Sequence, residues 1–204
     1  MSENDKIVIG NNDALAVIDM QNDFICEDGA LYVAGVEGEM SMEAVVINTK
    51  ITNSLPFGLR ITTGDGHPYN HIEFGIFGKH CVDGLIGENP HREVFDIYYH
   101  ADMNLSKGED ADVIAYSIST SRQYASLIKK LREKQIKRIF LCGLAYTHCV
   151  GESAIALAAQ GFEVYVVRDA TRSVPPPYGD PEKMAQKLAL YGVKEVTTDQ
   201  LVGE

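Results

Sequence analysis

Four brief runs constrain this chain more than anything else in it: Ala14–Ile18, Leu59–Thr63, Ile139–Cys142 and Glu163–Arg168. Each is rich in apolar and β-branched residues and too short for a core helix, so each reads as a strand of a buried sheet. The stretches between them have helical character. Ser41 can cap a helix through roughly Ser54, with Met42, Val45, Val46 and Ile51 on its apolar face. Ser119–Lys134 carries Tyr124, Leu127, Ile128 and Leu131 on one side. An Ala-rich segment runs from Cys149 to Gly161, and a helix after the Pro-rich loop Val174–Pro181 reaches Tyr191, with Gly192 at its C′ position. Lys194–Thr198 reads as a last strand. Strands alternating with helices at this spacing predict βαβ units in a three-layer α/β fold with a mainly parallel, doubly wound sheet. Counted from Ala14–Ile18 as the first strand, the Rossmann-like order is 3-2-1-4-5-6. The third strand has two candidates, Phe95–Tyr99 and Met103–Lys107. Residues 1–12 are expected to be peripheral to a single domain spanning 1–204.

Composition narrows the function classes. A length of 204 residues suits one domain with a substantial core. Eighteen basic against 29 acidic residues give a net charge of −11, which argues against nucleic-acid or anionic-membrane partners and for a small-molecule ligand. No basic segment followed by an apolar run opens the chain, and no stretch is long enough to span a membrane. The four cysteines lack CxxC spacing, consistent with free thiols in the cytoplasm. No GxGxxG or Walker pattern is present, so the doubly wound fold is not expected to bind dinucleotides.

In such a fold chemistry gathers beyond the carboxyl ends of the strands, where strand order reverses. Asp19 closes the first strand, Asp65 follows the second, Lys107 closes one candidate third strand, and Cys149 follows the fourth. Asp19 and Cys149 are expected to face each other across the crevice. Cys149 on the first turn of a helix would have its thiolate favoured by unpaired N–H groups and the dipole. A lone cysteine there is more often core, and a strand-end aspartate is often only a turn residue. Together, Asp, Lys and Cys make a base, an electrostatic partner and a nucleophile, the set required for covalent acyl transfer. Asp169, beyond the fifth strand, reads as a structural turn residue. Asp65 and His67, two apart in extended chain, project to the same side and can chelate one ion. A third ligand must come from His71, Glu73 or His80, and carboxylate–imidazole donors suit Zn, Fe or Mn. With Gly66 and Pro68 alongside, a plain turn is the competing reading.

The motifs ALAVIDMQNDF, GDGHPYNHIEF, GKHCVDG, SKG, GLAYTHCV and VVRDATRSV, in that order, resemble the nicotinamidase/pyrazinamidase branch of the isochorismatase-like hydrolases. The resemblance runs from about Ala14 to Leu201. It implies a catalytic triad of Asp19, Lys107 and Cys149, and one divalent transition metal, zinc foremost, held by Asp65, His67 and His80. His71 and Glu73 are candidate further ligands. It also implies an oxyanion hole from the backbone N–H groups of Ala145 and Cys149, a cis Leu144–Ala145 peptide, and Phe24 and Phe77 sandwiching a planar substrate ring. The implied reaction is hydrolysis of nicotinamide to nicotinate and ammonia through a thioester, as in NAD salvage; a homo-oligomer is compatible with the sequence, which does not fix the number of subunits. Two alternatives stand beside it: an Asp–Lys–Cys amidase acting on another small amide or carbamoyl compound, and a non-catalytic metal- or ligand-binding module. The chain departs from the family pattern at Gly66, at Phe77-Gly78 and at Tyr146-Thr147 beside the nucleophile. These changes reshape the pocket wall and leave the triad and ligands in place. The Pro175–Pro177 run enlarges a loop and has no role assigned by sequence.

Overall fold

The computed structural model describes residues 6–203. Its strands are β1 (Ile7–Ile9), β2 (Asp13–Ile18), β3 (Leu59–Asp65), β4 (Met103–Lys107), β5 (Arg138–Leu144), β6 (Glu163–Arg172), β7 (Lys194–Val196) and β8 (Leu201–Gly203). The α-helices are α1 (Asn22–Ile25), α2 (Met42–Asn53), α3 (Phe74–Phe77), α4 (Phe95–Tyr99), α5 (Tyr124–Glu133), α6 (Gly151–Ala158) and α7 (Pro181–Leu190). Strands β2 to β7 form one parallel sheet in the order β4-β3-β2-β5-β6-β7. That is the expected 3-2-1-4-5-6 order once the short β1 is set aside.

The central strand shows why both faces are covered. In β2, Ala14, Ala16 and Ile18 enter one apolar cluster with Leu127 and Leu131 of α5, Ile155 of α6 and Leu188 of α7. Leu15 and Val17 enter a second cluster with Val45 of α2, Ile9 and Leu201. Side chains alternate across a strand, so a continuous apolar run feeds two cores at once. Ser41 caps α2 by accepting from Ala44 N.

Several expectations change. Residues 7–9 are not peripheral: β1 pairs in parallel with β8, and Ile9 is fully buried. Three residues are too few to show a period, and the loop to β2 blurs their boundary. The rest of that N-terminal stretch, residues 1–5, lies outside the described residues. Met103–Lys107 is the third strand of the large sheet, while Phe95–Tyr99 is helical. Ile51 is 48% exposed, and Thr49 and Thr52 take the buried stripe of α2 instead. The segment from Ser119 splits into a 3-10 turn, Ile118–Thr120, and α5.

The sheet is irregular where it matters. Between Leu141 and Gly143 the β5–β6 register shifts. Gly143 has φ 102°, and a Cβ there would lie 2.1 Å from Ile18 O. Only glycine lets β5 pass this close to the end of β2, which brings the turn after β5 against Asp19.

Candidate active site

Asp19 follows β2 with φ 47°, a left-handed conformation that costs a non-glycine residue about 1 kcal/mol or more. It is held there: its N–H donates to Thr63 O at 3.1 Å and its Oδ1 accepts from Thr63 Oγ1 at 2.6 Å. Lys107 ends β4 and is 1% exposed. Its Nζ lies 2.8 Å from Asp19 Oδ2, 2.5 Å from Asp65 Oδ1 and 3.5 Å from Cys149 Sγ. Asp19 Oδ2 touches the ammonium but makes no aligned hydrogen bond, which leaves it a lone pair for another proton. Three strand ends thus bring the expected aspartate, lysine and cysteine into mutual contact.

Burial sets the protonation states. It opposes the Lys107 charge, yet Asp19 and Asp65 together hold that ammonium well above its ordinary range. Burial also raises the Asp19 carboxyl, with Lys107 pulling it back down. The Cys149 thiol is pushed well above its ordinary value, by burial first and against the attraction of Lys107. Burial therefore works against the thiolate that a helix end would favour. Cys149 sits within a π-turn, Tyr146–Val150, that runs directly into α6.

The expected metal ligands converge beside Lys107. Asp65 Oδ2 lies 4.0 Å from His67 Nε2, and Glu73 Oε2 lies 3.9 Å from His80 Nε2. The His67 and His80 rings meet edge-on at 4.9 Å. Their Nδ1 atoms face the carbonyls of Gly108 and Gly78 at 3.3 and 2.9 Å, which fixes the tautomer and turns each Nε2 lone pair inward. His67 Nε2 is buried with no hydrogen-bond partner, and burial with two neighbouring histidines lowers its pKa to about 3. A neutral, unsatisfied imidazole nitrogen among carboxylates fits a divalent metal well. Donor atoms of His67, His71 and Glu73 also lie within 4.8 Å of one another. Yet both His71 nitrogens meet backbone groups, Val113 O at 3.1 Å and Glu73 N at 3.3 Å, and its ring stacks on His67 at 4.1 Å. Asp65, His67, His80 and Glu73 therefore have the freer donors, and His71 braces His67.

Above Cys149 a narrow cavity is lined by Phe24, Phe77, Tyr116, His148, Ala145 and Val174, with Asp65, Glu73 and His80 also on its wall. Leu144–Ala145 is cis, as the resemblance implied. Phe24 and Phe77 each face His80, at 5.9 and 6.2 Å between ring centroids. Sequence reasoning did not single out Tyr116, His148 or Val174, nor Gln21. The Gln21 side chain clamps Asp65, donating to its carbonyl at 2.7 Å and accepting from its N–H at 2.8 Å. Its only signal was an amide placed at a buried strand exit. Among the described residues no helix is long and apolar enough to cross a membrane, and all four cysteines are free.

Known proteins resemble this chain in sequence and in fold. Residues 112–200 match the isochorismatase domain. An isochorismatase family protein of Bacillus subtilis (strain 168) is 31% identical, covering 78% of this chain and 86% of its own length. The structure of PnC1 from L. infantum in complex with nicotinate superposes with a TM-score of 0.82 at 28% identity, over 98% of this chain and all of that one. The pyrazinamidase of Pyrococcus horikoshii in complex with zinc gives a TM-score of 0.68 at 30% identity, over 91% and 99%. By these matches and by its fold the chain belongs to the isochorismatase family of hydrolases, on the side of its nicotinamidase and pyrazinamidase members.

Proposed function

We propose that the chain is an amidase that hydrolyses nicotinamide to nicotinate and ammonia through a Cys149 thioester. The observation that carries this reading is the Lys107 ammonium, buried between Asp19, Asp65 and Cys149, the last two of which line an aromatic slot. A flat heteroaromatic ring suits a slot walled by Phe24 and Phe77, and its amide carbon then faces Cys149. The relative bound to nicotinate supports the same ring acid as product.

Asp19 Oδ2 takes the thiol proton as sulfur bonds to the amide carbon. Lys107 offsets the negative charge formed in a dry site, where it counts for more than in water. The N–H groups of Ala145 and Cys149 hold the tetrahedral oxygen. Asp19 passes the proton to nitrogen, the C–N bond breaks and ammonia leaves. Water then gives a proton to Asp19 and attacks the thioester; the S–C bond breaks and the proton returns to sulfur. Asp65, His67 and His80, with Glu73 beside them, would hold a divalent metal, for which the zinc-bound relative favours zinc. Such an ion supplies a Lewis-acidic anchor for the substrate ring. The nucleophile must stay unoxidised, which fits a reducing compartment, and the product acid fits a salvage role in NAD synthesis.

Ammonia release from nicotinamide, pyrazinamide and aliphatic amides tests the proposal. Activity on the two aromatic amides, abolished in Cys149→Ala with unchanged circular dichroism, is the expected result. Turnover by Cys149→Ala, or activity confined to the aliphatic amides, would sink it.

A further inference from the structure

Thr147 is two residues from Cys149 and 7% exposed, yet none of the hydrolytic steps uses it. Its Oγ1 accepts from Val174 N at 3.0 Å and stands 3.0 Å from His148 Nδ1. Having accepted the amide hydrogen, the hydroxyl has its own hydrogen to donate to that imidazole nitrogen. Gly179 closes on the same group: a Cβ there would lie 2.8 Å from Thr147 Oγ1 and 1.9 Å from Val174 O. Both ends of the segment Val174–Gly179 therefore meet at Thr147. Between them the chain turns tightly, with Tyr178 N and Gly179 N both donating to Pro175 O. Tyr178 comes to rest 5.5 Å from Phe77, ring to ring. Phe77 meets His148 at 5.6 Å and Tyr116 at 6.2 Å, and Tyr116 meets His148 edge-on at 5.0 Å. Phe77, Tyr116, His148 and Val174 all face the cavity. One hydroxyl thus ties the proline loop, which brings Tyr178 against Phe77, to the histidine beside the nucleophile.

We propose that Thr147 is a specificity-determining positioning residue: by fixing His148 and the Val174–Gly179 loop together, it sets the width of the ring slot and restricts the site to flat, unsubstituted aromatic amides. The proposal rests on the amidase reading above. Thr147 acts through His148 and Val174, not on the reacting atoms. A slot of fixed width rejects an added ring methyl, which in a close-fitting pocket changes selectivity by roughly 10–200-fold. A slot whose wall can shift does not.

The test compares Thr147→Val, which keeps the branched shape and removes the hydroxyl, with Thr147→Ser, which keeps the hydroxyl. Steady-state kinetics are measured on nicotinamide and a ring-methylated nicotinamide, and hydrogen exchange is followed at the Val174 amide. Thr147→Val should raise KM for nicotinamide about tenfold, as expected for the loss of a hydrogen bond or two, with kcat within about threefold. Its preference for nicotinamide over the methylated ring should narrow about tenfold, and Val174 exchange should accelerate. Thr147→Ser should match wild type in all three. Unchanged preference in Thr147→Val, or a parallel fall in kcat on both amides with preference intact, overturns the proposal. Should Thr147→Val fail to fold, Tyr178→Ala, at a position 56% exposed, carries the same preference test with the same refuting result. If wild type hydrolyses no aromatic amide, the amidase reading fails. The anchoring of the loop then stands or falls on Val174 exchange alone.

Discussion

Gln21→Leu should be among the most damaging changes outside the catalytic residues themselves. Gln21 is 1% exposed, and its amide makes three hydrogen bonds: to Asp65 O at 2.7 Å, to Glu88 O at 2.6 Å, and from Asp65 N at 2.8 Å. At roughly 0.5–1.5 kcal/mol net for each bond, the loss is about 2–4 kcal/mol. Counting instead the Asp65 N–H and C=O left buried without partners, at about 1–3 kcal/mol each, leads to a similar figure. Gln21→Glu should be no milder. One carboxylate oxygen can still accept from Asp65 N, but the other would face two carbonyls without a hydrogen to offer. It would also add a negative charge near Asp19 and Asp65. Gln123→Leu is the control, since Gln123 is exposed and its one bond from Ser106 N spans 3.2 Å. Urea denaturation of the three variants measures the differences, and a loss below about 1 kcal/mol for Gln21→Leu would refute the clamp.

Three further outcomes follow from the charges. Because burial raises the Cys149 thiol well above 9.0, alkylation of the free enzyme by iodoacetamide should climb with pH and reach no plateau below that value; a plateau at neutral pH would mean a thiolate at rest. Lys107→Met leaves Asp19 and Asp65 buried without their cation, so it should cost about 3–5 kcal/mol at neutral pH and less in mild acid, where Asp19, its carboxyl raised by burial, takes up a proton. Equal losses at both pH values in urea titrations would contradict that pairing. Glu39 is pushed up by burial, but hydrogen bonds from Ser173 and Arg168 hold its carboxyl below 4.5. A folded pKa below the unfolded one adds stability that is present above the unfolded value and lost below it. The stability gap between wild type and Glu39→Gln should therefore shrink as pH falls through about 4.5, the ordinary glutamate value, and a constant gap would count against it.

The large sheet was legible because its strands are buried on both faces. Ala14–Ile18 and Ile139–Cys142 must be apolar at every position, and so declare themselves without a period. β1 escaped notice for the opposite reason: three residues carry no pattern, and only the pairing with β8 at the far end of the chain gives them a structure. Ile51 misled because helix periodicity identifies a stripe without saying which of two adjoining stripes the sheet covers. Thr49 and Thr52 are fully buried there, Thr52 returning its hydroxyl to Asn48 O.

At the site, legibility follows the same division between what a strand end dictates and what only the assembled fold can. Asp19, Asp65 and Lys107 stand at or beside the last residues of adjacent parallel strands, so the sheet order alone brings them together. The opposing influences on Cys149 divide the same way: a helix terminus is legible in sequence, whereas the burial that raises its thiol is not. Gln21, Tyr116 and His148 lie within quoted motifs or near them, but their partners are distant in the chain: Gln21 and Glu88 are 67 residues apart, and Phe77 and His148 are 71. Asp65 shows what this convergence achieves. One of its oxygens meets the Lys107 ammonium and the other faces His67 Nε2, so a single buried carboxylate borders both the nucleophile's electrostatic partner and the histidine cluster. Its backbone is in turn fixed by Gln21. Any displacement of that strand end must disturb the two sites together, which is why the amide of Gln21, with no part in the chemistry, is expected to matter nearly as much as the groups it holds.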